Sequence, residues 1–235
     1  MQPTHSQPFI TLAIKKSTPY IYIAPAMLIA ILFSFISMSI SLYASFHDYD
    51  AFAGASAFVG LDNYRRALFE PDSYFWLTMR HTLFYVVMSV AGVLVTALPL
   101  AMLCQKVRRG QALFRTLYFL PSITPGVVLA LVFFHLFGVW GQLLDNKLTS
   151  LPALALLGVW SGAGYNMVIF LAGLTEIPQH LYDAAKVDGA GRWRQFRHVT
   201  IPMLRNTLVF VTVMTIIGAF QVFTSVYIMT QGGPE

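Results

Sequence analysis

The chain has 235 residues, of which 57% are hydrophobic and only 11% charged. A soluble globular chain carries about a quarter charged residues, so this composition excludes a surface solvated by water over most of the molecule. The formal net charge of +5 invites a nucleic-acid partner, but the charges cluster between long windows that hold none, and the basic excess reads as a topology signal instead.

Those windows run Tyr20 to Phe46, Thr82 to Gln105, Thr116 to Leu144, Leu148 to Thr175 and Asn206 to Pro234. Each is at least as long as the roughly 20 apolar residues a helix needs to cross about 30 Å of hydrocarbon. They predict five spans, near 20–46, 82–104, 116–138, 152–174 and 206–230. All are read as helices, because lipid offers the backbone of an open strand no partners. Lys15 and Lys16 resemble a signal-peptide n-region, yet the apolar run that follows is too long for an h-region and lacks a cleavage site, so it reads as a retained span. The single cysteine, Cys104, excludes an intramolecular disulfide and reads as a small residue near a helix end.

Eleven of the fifteen Lys and Arg residues fall in three places: Lys15 and Lys16; Lys106, Arg108, Arg109 and Arg115; and Lys186, Arg192, Arg194, Arg197 and Arg205. Positive-inside reasoning therefore expects the N-terminal segment 1–19, the 105–115 loop and the 175–205 loop in the cytoplasm. The opposite loops hold Asp48, Asp50, Asp62, Glu70, Asp72, Asp145 and Glu235, with only Arg65, Arg66, Arg80 and Lys147. The long outer loop, 47–81, carries turn chemistry at Gly60, Asp62-Asn63 and Pro71-Asp72. Its Tyr74, Phe75 and Trp76 suit the headgroup level.

Residues 176–203 read EIPQHLYDAAKVDGAGRWRQFRHVTIPM, which predicts two short helices and a turn. Pro178 suits a first turn and Gln179 to Val187 a helix, which Gly189 then ends. Arg192 to Val199 suit a second helix before Pro202 resets the chain. Ala184 and Ala185, with Leu181 and Val187 nearby, form a small-residue face open to another protein's groove. The competing reading is an amphipathic loop with Arg192, Arg194 and Arg197 against anionic lipid.

Polar residues at membrane depth are costly and face protein or water. His135, Asn166, Gln221, Thr224 and Ser225 are therefore candidates for a substrate path, with interhelical hydrogen bonding as the alternative. Pro99, Pro121 and Pro125 are expected to kink spans two and three. His81 and His135 are too far apart, and too bare of partners, for a metal site. The spans contain no Asp or Glu, so no catalytic residue is assigned. A membrane-embedded enzyme lacks its carboxylate pair, and a proton-coupled carrier would have only histidines. The chain has no GxxxxGK[ST] loop and does not bind ATP by that route.

The run Asp183-Ala184-Ala185-Lys186-Val187-Asp188-Gly189-Ala190, followed by Phe196 and Ile201-Pro202, resembles the EAA motif of ABC import permeases. Asp183 stands where that family usually has Glu. Phe58 to Tyr64 (FVGLDNY), Phe114 to Pro121 (FRTLYFLP), Leu171 to Leu174 with Ile177-Pro178, and Thr230 to Pro234 (TQGGP) are similar to the carbohydrate branch of MalF-like permeases.

The resemblance implies an all-α, polytopic transmembrane helical bundle like the type I importers, in a bacterial inner membrane. A permease domain would occupy 20–230, an extracytoplasmic turn 231–235, and a sixth span would lie beyond the Gly-Gly-Pro turn. It implies that 176–203 is the coupling segment, with Asp183, Ala184, Ala185, Asp188, Gly189 and Ala190 as the contact with an ATPase. It further implies a second permease subunit, two ATPase subunits that carry the ATP and Mg, and an extracytoplasmic solute-binding protein. This chain itself would hold no cofactor, and the cargo would be a sugar, a polyol or a glycerol phosphate.

Overall fold

The computed structural model describes residues 9–50, 52, 54–70, 73–107, 109–139 and 143–231. They fall into two compact units, residues 1–76 and 77–235.

In the first unit α1 (Phe9–Ala30) passes through a π-helical stretch, Ile31–Phe35, into α2 (Ile36–Ser45). The run Pro19–Ser45 is long and apolar enough to cross a membrane. The 47–81 loop is more ordered than its turn signals suggest. It forms an antiparallel hairpin, β1 (His47–Asp50) and β2 (Gly54–Phe58), and then helix α3 (Asp62–Phe69), so two short strands join an otherwise helical chain. The Asp50 carboxylate accepts the Phe52 N–H at 2.7 Å, and Gly54 takes φ +79°, which together close the hairpin. Gly60 also turns left-handed, at φ +59°. Asp62 and Asn63 open α3 rather than forming a turn. The Asn63 amide donates to the carbonyls of Ser45 and His47, both at 2.9 Å, and pins α3 to the base of the hairpin. The Asp62–Arg66 pair, 2.5 Å apart and exposed, spans one helical turn of α3 and raises the Arg66 pKa. Pro71-Asp72 lies outside the described residues.

The second unit holds most of α4 (Phe75–Lys106), then α5 (Gln111–Ile123), α6 (Gly126–Val139) and α7 (Ser150–Thr175). Helix α4 starts well before the charge-free window, taking Arg80 and His81 into the helix, and runs through Pro99 as one element. The expected single span at 116–138 is broken. Proline disfavours the helical region for the residue before it, and Thr124, ahead of Pro125, is extended at φ −75°, ψ 134°. Helices α5 and α6 consequently meet at 95°. Pro121, by contrast, is accommodated inside α5.

After α7 come α8 (Gln179–Val187), α9 (Arg192–Gln195), a π-helical turn (Phe196–Thr200) and α10 (Ile201–Met203). The last apolar window also divides, into α11 (Arg205–Phe220) and α12 (Thr224–Thr230). At the end of α11 the Gln221 N–H is shared between the carbonyls of Ile217 and Gly218, a tightened closure that ends the helix.

Two separate hydrophobic cores lie along α4 and α7. One joins Val93, Ala97, Leu98, Ala101 and Cys104 of α4 to Met167, Phe170, Leu171 and Leu174 of α7, with Ile177, Leu204 and Val211. The other joins Tyr85 and Val86 to Leu129, Ala130, Leu144, Ala153, Leu154, Leu157, Ala219 and Met229. Between them α7 presents glycines, because lipid gives apolar surfaces no drive to associate and close backbone approach must hold the helices together. A methyl on Gly158 would lie 2.7 Å from the Tyr85 hydroxyl of α4. One on Gly164 would strike the Tyr118 carbonyl of α5.

Candidate functional site

The 176–203 segment is built from helix-end chemistry. Helix α8 spans Gln179–Val187, as its sequence predicts, with Pro178 as the N-cap residue just outside it. Asp188 is the C-cap. Gly189 follows in the left-handed region at φ +72°, where its N–H donates to the Lys186 carbonyl at 3.0 Å. The Ala190 N–H then donates to the Ala185 carbonyl at 2.8 Å. That pair of bonds is a Schellman closure, which satisfies carbonyls the helix end would otherwise leave open. The motif positions Ala185, Gly189 and Ala190 are thus the ones that shape the turn.

The two faces of α8 differ. Leu181 and Tyr182 pack against the first of the two cores, together with Phe196, Val199 and Ile201. The Tyr182 hydroxyl lies 3.0 Å from Thr200 Oγ1 and joins α8 to the π-helical turn. The opposite face is open: Ala184 and Asp188 are exposed, and Val187 is 88% exposed. This corrects the expected small-residue face. Leu181 and Ala185 are both half-buried on the inner side, because residues three and four apart share a helix face, and Ala184 stands with Val187 and Asp188 on the other.

Asp183 accepts from Lys186 Nζ at 2.9 Å and Gln179 Nε2 at 3.3 Å. The Lys186 ammonium, and then the Gln179 amide, hold its carboxyl below the usual carboxylate range. The Asp188 carboxylate has no partner among the described residues.

The five membrane-depth candidates are distributed over α6, α7 and the junction of α11 with α12. His135 is exposed on α6, its Nδ1 2.9 Å from the Leu131 carbonyl. Asn166 is buried and donates to the Gly162 carbonyl at 2.9 Å, one turn back in its own helix. Gln221 and Thr224 are exposed around the gap between α11 and α12, and Ser225 is half-buried.

A cleft of about 480 Å³ forms elsewhere, where the α5–α6 bend faces the middle of α7. Phe119, Ser122, Thr124, Ser161, Gly162 and Tyr165 line it, and none of the five candidates does. The hydroxyls of Ser122, Thr124 and Ser161 donate to the carbonyls of Phe119, Leu120 and Gly158. Their oxygens remain free to accept. Tyr165 is 49% exposed and its ring centroid lies 6.5 Å from that of Phe119. The signal for this cleft is the pair Pro121 and Pro125 bracketing a Ser and a Thr inside an apolar run, together with the glycine cluster of α7.

The family profile described as "Binding-protein-dependent transport system inner membrane component" matches residues 94–234, which covers the glycine layer, the cleft and the whole α8 segment. The chain belongs to that family. It is 37% identical over 233 residues to a probable ABC transporter permease protein of Bacillus subtilis (strain 168), YesP, covering 92% of this chain and 74% of the relative. It is 31% identical to the arabinooligosaccharides transport system permease protein AraP of the same bacterium, covering 92% and 73% respectively. Its fold matches a bacterial ABC transporter involved in the import of the acidic polysaccharide alginate, with TM-score 0.76 over 94% of this chain and 80% of that one, at 20% identity. The chain is therefore an ABC permease of the inner membrane, crossing it several times, and a transport component rather than an enzyme.

Proposed function

We propose that this permease carries a saccharide through the membrane, driven by ATP that a separate cytoplasmic ATPase binds at α8. The observation that carries the reading is the two-faced α8. Its inner face is seated on a buried core through Leu181 and Tyr182, while Ala184, Val187 and Asp188 project outward. A helix held this way moves with the core of its own unit, so a partner that grips the outer face shifts the spans. Asp183, Ala184, Ala185, Asp188, Gly189 and Ala190 form or shape that contact.

The N-terminus and the 175–205 segment then lie in the cytoplasm. A second permease subunit completes the path, two ATPase subunits hold the ATP and Mg, and an extracytoplasmic solute-binding protein delivers the cargo. ATP binding must favour one state of the spans by a few kcal/mol to shift their populations.

The cleft supports a saccharide. Acceptor oxygens on Ser122, Thr124 and Ser161 suit sugar hydroxyls, and the Tyr165 and Phe119 rings suit the apolar faces of a pyranose or furanose. The likeness to an arabinooligosaccharide permease points the same way. The five polar candidates fall to secondary roles, with Asn166 bonded within its own helix.

The test is co-purification of the permease with its ATPase from detergent, wild type beside Ala184→Glu and Gly189→Pro. Capture by the wild type, lost in both variants while membrane insertion is unchanged, is expected. Equal capture by all three sinks the assignment of α8.

A further inference from the structure

The helical stretch Arg192–Met203 lies at 71° to α11, the apolar helix that directly follows it. If α11 crosses the membrane, the stretch runs nearly parallel to the membrane plane at the end of the span. Its residues differ in burial. Gln195, Phe196 and Val199 are half-buried and Thr200 is buried, facing α8 and the core beneath. The Gln195 amide donates to the Ala190 carbonyl at 2.7 Å and fixes the rotation of the helix. Arg192, Trp193, Arg194, Arg197 and His198 are exposed, Trp193 at 71%, with its ring 5.4 Å from that of Phe196. None of these three arginines has a carboxylate partner among the described residues, where the ion pairs are Asp62–Arg66 and Asp183–Lys186.

A tryptophan among three unpaired arginines, on a helix lying in the membrane plane, matches the interface in chemistry and geometry. The indole prefers the headgroup level, and the guanidinium groups reach phosphates while their stems lie along apolar surface.

We propose that the Arg192–Met203 face is a docking surface for anionic phospholipid headgroups of the cytoplasmic leaflet, distinct from the ATPase contact on α8. The inference rests on the proposed orientation. It divides the labour of the segment: α8 receives the push, and the adjoining helix slides on, and is held by, the lipid surface. The acceptor is a lipid phosphate, because the stretch joins the span through one residue, Leu204, and its arginines stand at the level where the apolar window begins.

The test uses the assembled permease and ATPase complex in nanodiscs, with Trp193 as the only tryptophan of this chain (Trp76, Trp140 and Trp160 replaced by Phe) and the partners' tryptophans likewise replaced. Quenching of Trp193 by brominated phosphatidylglycerol is compared with quenching by brominated phosphatidylcholine at equal mole fraction. Stronger quenching by the anionic lipid is expected, weakened by salt, lost in the Arg192→Gln/Arg194→Gln/Arg197→Gln variant and kept when the three become Lys. Each charge strengthens association with an anionic surface roughly fivefold, so removing three abolishes the preference. Absence of quenching by either lipid, or equal quenching by both with the arginines intact, overturns the proposal. So does loss of ATPase capture by the Gln variant in detergent free of anionic lipid, which assigns the face to the ATPase. The quenching readout needs no coupling to ATP, so it stands or falls apart from the docking of α8.

Discussion

Two glycines separated by one residue, Ala190, have unequal consequences. Gly189 stands at φ +72°, in the left-handed region, while Gly191 is extended at φ −66°, ψ 169°, a conformation any residue adopts. Neither has a neighbour that an added methyl would strike, so the backbone alone separates them. Alanine at Gly189 costs about 1 kcal/mol in the left-handed conformation, roughly a factor of five in an equilibrium. Titration of the ATPase against the purified permease is expected to show Gly189→Ala weakened by about that factor. Gly189→Asn should lose less, because Asn tolerates the left-handed turn, and Gly191→Ala should match the wild type. Equal affinity for Gly189→Ala and wild type would mean that the Schellman closure does not set the pose of α8.

Among the helices, the α5–α7 crossing is the tightest contact, because the obstacle to a side chain at Gly164 is backbone. A methyl there meets the carbonyl of Tyr118 and the Cα of Phe119, and a helix cannot rotate a carbonyl away as it would a side chain. The two helices must separate, at a cost of about 1–3 kcal/mol by analogy with overpacked cores. Gly218 of α11 has open space around it, and alanine there removes a flexible point from a helix interior. Thermal unfolding of the purified permease should show Gly164→Ala melting clearly below the wild type, with Gly218→Ala level with it or above. A Gly164→Ala protein as stable as wild type would count against direct backbone contact between α5 and α7. The apolar segments were legible from charge alone, since an ionised side chain at the bilayer centre is too costly to place freely; three are single helices long enough to cross a membrane and two are bent pairs. Their interruptions were not legible, because a charge-free window looks the same whether its helix is straight or broken. Pro125 marked one break, but no proline marks the gap at Gln221 to Phe223, where hydrogen bonding at the end of α11 decides it.

At the scale of the whole second unit, the cleft depends on residues far apart in sequence, Phe119 to Gly126 on one wall and Ser161 to Tyr165 on the other. Reading residues for polarity picked out His135 and Asn166. It passed over the cleft because Tyr165 and Phe119 look like ordinary membrane aromatics until the chain brings them together. Tyr165→Ala is expected to cut saccharide uptake into proteoliposomes by tenfold or more, on the order of one lost stacking contact with its hydrogen bond, while ATPase capture stays unchanged. Undiminished uptake would remove Tyr165 from the path. The two-core division also fixes an order of events during biosynthesis. Val93 to Cys104 emerge from the ribosome early, but the core they enter is closed by Met167 to Leu174 and, last, by Leu204 and Val211. Until those residues arrive, the Val93 to Cys104 face of α4 waits in lipid, and the bare backbone of Gly173 on α7, which Leu204 and Thr207 later cover, stays turned toward acyl chains. A nascent chain stalled before Leu204 therefore displays an unfinished helix face inside the bilayer, a surface that chaperones and proteases of the membrane are placed to recognise.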